Sequence, residues 1–220
     1  MSSTSQGAIF DVAVIGAGVV GCAVARRLTL SGRRVVVVER AADILAGASK
    51  ANSALLHTGF DAPPGSLELA CMRAGYQEYL DIRERLNLPL LETGAAVVAW
   101  SEADLARLGA IEAQARANGV GDVQHLSRAE LLRREPQLSA SALAGLLVPG
   151  EHVIDPWSAP LAYLRQAVEN GAQVCFDAEV LGGDLANGLW TLRTTAGELV
   201  AGTVVSCAGL FGDVVEQRLL

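Results

Sequence analysis

Three glycines in the run Gly16-Ala17-Gly18-Val19-Val20-Gly21, with a carboxylate at Glu39, are the residues of this 220-residue chain whose spacing points most directly to chemistry. The pattern suits a dinucleotide. Gly16 permits a tight turn, Gly18 has no side chain to keep a pyrophosphate off the backbone, and Gly21 lets helix and strand pack closely. A helix beginning at this turn, with Val19 in its first position, presents N–H groups and the positive end of its dipole to the phosphates. Glu39 is placed to accept hydrogen bonds from adenosine ribose hydroxyls, and an acid there disfavours a 2′-phosphate. Arg40, beside it, is a further candidate contact.

The elements that must position these residues are readable on either side of them. Asp11 to Ile15 reads as a short buried strand running into the glycine turn. Val20, Val24 and Leu28 then recur at helical spacing, Ser31-Gly32 supplies a stop, and Arg34 to Val38 resumes as a β-branched strand ending at Glu39. Strand, glycine turn, helix, strand and acid stand in the order of a dinucleotide-binding fingerprint. After Glu39 a nicotinamide domain usually continues with another compact strand–helix unit. Here Gly47 to Ser53 is small, polar and aperiodic, and reads as a loop, so FAD is the expected dinucleotide.

Composition narrows the partners. Seventeen Lys+Arg against twenty-four Asp+Glu leave a net charge of -7, the wrong sign for nucleic-acid binding by counterion release. The longest apolar runs fall short of the ~18 residues of a membrane helix. The leader Met1 to Gly7 is polar and shows no secretory pattern. Cys22, Cys71, Cys175 and Cys207 are widely spaced without CxxC or a matching His pair, which speaks against disulfide and zinc frameworks and for thiols in a reducing cytoplasm.

The run Gly47 to Leu67 carries a family resemblance. Asn52-Ser53 and His57-Thr58-Gly59-Phe60-Asp61, followed by the turn Pro63-Pro64-Gly65, resemble the flavin-facing segment of the D-amino-acid-oxidase (DAO) superfamily, in its glycerol-3-phosphate dehydrogenase/oxidase branch. Ala54 and Thr58 stand where that branch commonly has glycine. The resemblance extends to Cys207-Ala208-Gly209. It implies a strand end at Glu179-Val180 that presents backbone groups to the adenine, and an Ala208-Gly209 turn near the pyrophosphate and ribityl chain. Ser49, Asn52 and Ser53 have side chains suited to a phosphate or flavin edge. His57, through its place in the motif, is the implied base that deprotonates a substrate hydroxyl while flavin N5 takes a hydride. His125 and His152 lie near turns and receive no role.

The rest of the chain organises around these segments. Ser66 caps a helix to about Asn87, and Leu91 to Trp100 is strand-like. Ser101 and Asp104 form a capping box whose helix carries Leu105, Leu108, Ile111 and Ala115, and Ser127 with Glu130 forms a second box whose helix stops at Pro136. Leu143 to Val148 reads as a strand. Asp155-Pro156 is expected to cap a helix with a stripe of Leu161, Leu164 and Val168, and strands follow at Gln173 to Val180, Leu189 to Thr195 and Glu198 to Cys207.

The expected fold class is α/β: a Rossmann-like FAD-binding domain of glutathione-reductase type, discontinuous over residues 1–88 and 156–220, with an inserted α+β substrate domain at 89–155 that shows two clear strands. The resemblance implies oxidation of a small anionic 2-hydroxy compound, glycerol 3-phosphate first and L-2-hydroxyglutarate second. A sarcosine-type amine oxidase is a more distant alternative, and a non-catalytic FAD-binding subunit is the alternative of another class. The electron acceptor is left open, as is peripheral contact with the inner face of a membrane. Because Leu210 to Leu220 reads as an uncapped helix, the chain is expected to be incomplete at its carboxyl end or to need a second polypeptide, and alone to hold FAD weakly.

Overall fold

In the computed structural model, which describes residues 8–220, Ile9–Ile15 form β1 and four consecutive valines, Val35–Val38, form β2. The leader Met1 to Gly7 lies outside the described residues. β-Branched side chains favour an extended backbone. With all four valines buried, each contributes about 1.5–3 kcal/mol, so this short strand is a main support of its unit. Between the two strands runs α1, Val19–Leu30.

The chain divides into two compact units, one holding the residues up to Ser53 with Pro156–Leu220, the other Ala54–Asp155. In the first, β1 and β2 join β9 (Gln173–Cys175), β10 (Val180–Ala186), β11 (Leu189–Thr194) and β12 (Gly197–Ser206) in one sheet of order β10-β11-β12-β1-β2-β9. The β12-β1-β2-β9 pairs are parallel, whereas β10, β11 and β12 form an antiparallel ribbon. Period-two alternation divides the core. Val12, Val14, Val35 and Val37 pack beneath α1 and α5 (Ser158–Glu169), and Ala13, Ile15, Val36 and Val38 pack with Leu192 and with Val215 of α6 (Gly212–Leu219).

The second unit contains β3 (Leu55–Leu56), β4 (Leu90–Leu91) and β8 (His152–Ile154) in one antiparallel sheet of order β3-β8-β4. A second antiparallel sheet has the order β5-β7-β6, from β5 (Ala95–Ala99), β6 (Gln124–Ser127) and β7 (Ala144–Val148). Its helices are α2 (Leu67–Leu86), α3 (Glu102–Ala117) and α4 (Arg128–Arg134). Ser66 Oγ caps α2 at the Leu69 N–H, and both expected capping boxes form.

Several expectations need correction. Residues 54–88 belong to the second unit, because β3 and β4 both pair with β8. That unit accordingly has two three-stranded sheets, not two clear strands. Leu91 to Trp100 is not one strand: the chain turns at Thr93-Gly94, sending β4 and β5 into different sheets. Gln173 to Val180 is likewise interrupted after Cys175, since β9 and β10 lie at opposite edges of their sheet. The residue capping α5 is Trp157, with no side-chain cap, rather than Asp155-Pro156. Of the expected apolar stripes, Leu164 is buried and Val24 and Leu28 are partly buried against the core, but Val20, Leu161 and Val168 are exposed. Gly21, Cys22 and Ala25 of α1 and Ala159 and Ala167 of α5 are buried, because small residues let these helices approach closely. The loop Gly47 to Ser53 contains a 3-10 turn at Ala48–Lys50. Among the described residues no helix is long and apolar enough to cross a membrane.

Candidate functional site

In the first unit the glycine turn leaves no room for a β-carbon at Gly16 or Gly21. Gly16 has φ +104°, and a β-carbon there would lie 2.6 Å from the Cys207 carbonyl oxygen. One on Gly21 would lie 1.9 Å from the Gly16 carbonyl oxygen, so α1 can meet the turn only through a glycine. A β-carbon on Gly18 would lie 3.1 Å from Ser49 Oγ.

Glu39 fastens the end of β2 to this turn. Its Oε2 accepts from the Ala17 N–H at 2.7 Å and its Oε1 from the Ala41 N–H at 2.9 Å, and the residue is 9% exposed. Each oxygen retains a second lone pair for a ligand hydroxyl. Ser49 Oγ accepts from the Val19 N–H at 3.0 Å, and Asn52 Nδ2 donates to the Ser49 carbonyl at 2.9 Å, which pins the 47–53 loop to the start of α1.

A cavity of about 480 Å³ opens at the turn, within the usual size of a small-ligand site. Gly16, Gly18, Glu39, Arg40, Ser49, Val180, Ala208 and Gly209 line it. Val19, Gly21, Asn52 and Ser53 are outside its lining: the first three shape the turn and loop as described, and Ser53 is exposed. Phe211 and Arg218 are among the lining residues that were not anticipated. The Arg40 guanidinium lies 3.8 Å from the centre of the Phe211 ring, and Arg218 Nη1 donates to Glu179 Oε1 at 2.8 Å and to the Val180 carbonyl at 2.6 Å. Both depend on α6 and the preceding turn returning to β2 and β10, and no local pattern announces them.

The donor set fits the adenosine diphosphate part of FAD. The first turn of α1 carries no acid to repel a pyrophosphate, Gly18 leaves the backbone bare, and the Glu39 carboxylate stands at the end of β2.

In the second unit His57 sits in a compact polar cluster. Its Nδ1 accepts from the Gly59 N–H at 3.0 Å and lies 3.4 Å from Glu151 Oε1, while Nε2 is 3.5 Å from Asp61 Oδ1. The ring stacks on Phe60 at 5.5 Å, and its side chain is 29% exposed. Asn118 Nδ2 donates to the carbonyls of Gly59 and Ala62, holding the motif from α3. Tyr76 donates to the Gly150 carbonyl at 2.8 Å. Burial, and secondarily the Glu151 charge, push its hydroxyl above the usual phenol value. His125 pairs with Glu112 at 2.6 Å, and His152 stacks against Tyr76.

Comparison with known proteins agrees with this architecture. Residues 11–220 match the family DAO, described as FAD dependent oxidoreductase. The chain is 32% identical to a glycerol 3-phosphate dehydrogenase of Caloramator mitchellensis, over 96% of this chain and 44% of that protein. It is 27% identical to an L-2-hydroxyglutarate dehydrogenase of Escherichia coli, over 96% of this chain and 50% of the relative. Among solved structures, L-alpha-glycerophosphate oxidase from Mycoplasma pneumoniae with FAD bound superposes with a TM-score of 0.87 at 27% identity, over 96% of this chain and 57% of that one. The chain thus spans about half the length of the curated relatives it matches. The glycine turn, the buried Glu39, the sheet that carries them and the match over residues 11–220 lead to one conclusion: the chain belongs to the DAO family of FAD dependent oxidoreductases.

Proposed function

We propose that this chain binds FAD at the glycine turn of its first unit and serves a flavoenzyme that oxidises a small anionic 2-hydroxy compound, glycerol 3-phosphate first. The observation that carries the reading is the Glu39 carboxylate, tied to the Ala17 N–H and lining the same cavity as Gly16 and Gly18. In this assignment Gly16, Gly18, Val19, Gly21 and Ser49 form the pyrophosphate cradle. Glu39 and Arg40 meet the adenosine, Val180 and Ala208-Gly209 offer backbone groups, and Asn52 and Ser53 shape the approach to the flavin edge. When bound, FAD supplies the two-electron acceptor at N5.

His57 takes the proton of the substrate hydroxyl, a task for which an imidazole is suited near neutral pH. The first unit is then the FAD-binding domain and the second the substrate domain. L-2-Hydroxyglutarate is the second reading, supported by the relative of that name. Four free cysteines suit a reducing, cytoplasmic setting.

The test is anaerobic bleaching of the flavin band of the purified, flavin-loaded protein. Bleaching by glycerol 3-phosphate supports the reading. Bleaching by L-2-hydroxyglutarate alone moves the assignment to the second substrate, bleaching by a secondary amine alone overturns it in favour of an amine oxidase, and a bound flavin that none of these bleaches overturns it in favour of a structural flavin. Reoxidation by oxygen or by a soluble quinone then identifies the class of electron acceptor.

A further inference from the structure

Among the described residues, Glu151 is the buried carboxylate that the proposed chemistry leaves unused, and its burial is costly. It is 1% exposed, at the turn that leaves β7. A buried carboxylate is tolerated only where donors or a cation compensate it. Its Oε1 accepts from the Thr58 N–H at 2.7 Å and from the Thr58 hydroxyl at 2.6 Å, and lies 3.4 Å from His57 Nδ1. The approach is close: a β-carbon on Gly150 would sit 3.0 Å from Thr58 Cγ2. Tyr76 holds the same turn through the Gly150 carbonyl.

The ring's hydrogen bonds decide what His57 can do. While Nδ1 accepts from the Gly59 N–H, the neutral imidazole carries its proton on Nε2 and has no lone pair there for a substrate proton. Every form of the ring that accepts a proton at Nε2 carries one on Nδ1, and Glu151 Oε1 is the carboxylate oxygen beside that atom. We propose that Glu151 is a positioning residue for His57: its buried carboxylate, 3.4 Å from Nδ1, favours the ring form that carries its proton on Nδ1, leaves Nε2 free to act as a base, and offsets the charge of the imidazolium that results.

In the step this supports, the substrate O–H bond breaks, the Nε2–H bond forms, and the Nδ1 proton stays where it is, beside the Glu151 carboxylate. The proposal rests on the reading of His57 as the base. Among the described residues, the charged groups in contact with His57 are Asp61 from its own loop and Glu151 from the turn after β7; Tyr76 of α2 holds that turn through the Gly150 carbonyl, and the amides of Gln114 and Asn118 donate to backbone carbonyls of the motif.

The experiment reads the His57 tautomer in the flavin-loaded protein from its ¹⁵N chemical shifts by NMR, joined to the rate of anaerobic flavin reduction. In Glu151→Gln the anion beside Nδ1 is gone, so the neutral ring moves toward the form protonated on Nε2, and the reduction rate drops at least ~10-fold. In Thr58→Val the carboxylate loses a competing donor and keeps its charge, so the form protonated on Nδ1 gains population. That variant decides the matter if Glu151→Gln fails to fold. Tautomer populations that stay at the wild-type value in both variants, with reduction still slow in His57→Ala, overturn the role of Glu151 alone. Unchanged reduction in His57→Ala overturns the base assignment beneath it.

Discussion

Glu39 Oε2 accepts a hydrogen bond from the Ala17 backbone N–H at 2.7 Å, across twenty-two residues of chain. The acid that ends β2 therefore also braces the glycine turn. Glu39→Ala is expected to lower FAD affinity and, independently, to destabilise the apoprotein, since a lost charge-assisted hydrogen bond is worth about 1.5–3 kcal/mol. Thermal unfolding with and without FAD separates the two effects. An unchanged apoprotein melting temperature would assign Glu39 to the ligand alone.

Two glycine substitutions should act in opposite directions. Gly21→Ala forces a β-carbon to 1.9 Å from the Gly16 carbonyl oxygen, and the resulting backbone displacement is expected to cost more than about 3 kcal/mol. Gly75, exposed on α2, has nothing within 4 Å of its would-be β-carbon. Gly75→Ala should gain about 0.5–1 kcal/mol by restricting the unfolded chain. Urea unfolding midpoints check both.

The cysteines should differ sharply in reactivity. Burial, with a smaller contribution from Glu39, pushes the Cys22 thiol up to about 12, and burial also raises Cys175 and Cys207. Cys71 is exposed. Alkylation at about pH 8, read by mass spectrometry, should label Cys71 first and leave Cys22 unmodified until the protein unfolds, because the thiolate is the reacting form.

The two capping boxes carry an acid dependence. The Ser101 hydroxyl, and then the Trp100 N–H, hold Asp104 below its ordinary value, while the Ser127 hydroxyl and N–H do the same for Glu130. A carboxyl lowered in the folded state adds stability that is complete above its unfolded value and is lost as pH falls through the folded one. Ser101→Ala and Ser127→Ala should therefore lower the melting temperature fully near pH 7, and the gap from wild type should narrow below about pH 4. A gap that stays constant with pH would remove the carboxylates from the caps.

What the sequence made legible was local. The glycine turn between β1 and α1, the valine run of β2, the Ser66 cap and both serine boxes are each decided within a few residues by backbone freedom, β-branching or side-chain capping. The short strands β3 and β4 contain only two residues each, and exist because β8, far along the chain, supplies their hydrogen bonds. Helix faces were misread at Val20, Leu161 and Val168, which are exposed, while Cys22 and Ala167 are buried, since close approach of α1 and α5 rewards small size over apolar area. Phe211 over Arg40 and Glu151 beside His57 are meetings made by the fold, without a periodic signal.

The central claim is that the glycine turn and Glu39 select FAD. It is tested most directly by denaturing the purified protein and identifying the nucleotide released by chromatography and mass spectrometry, with Gly18→Leu run in parallel. The account predicts FAD from the wild-type protein and none from the variant, whose side chain would occupy the space where the pyrophosphate meets the backbone. Release of a nicotinamide dinucleotide, or full FAD retention by Gly18→Leu, would contradict it.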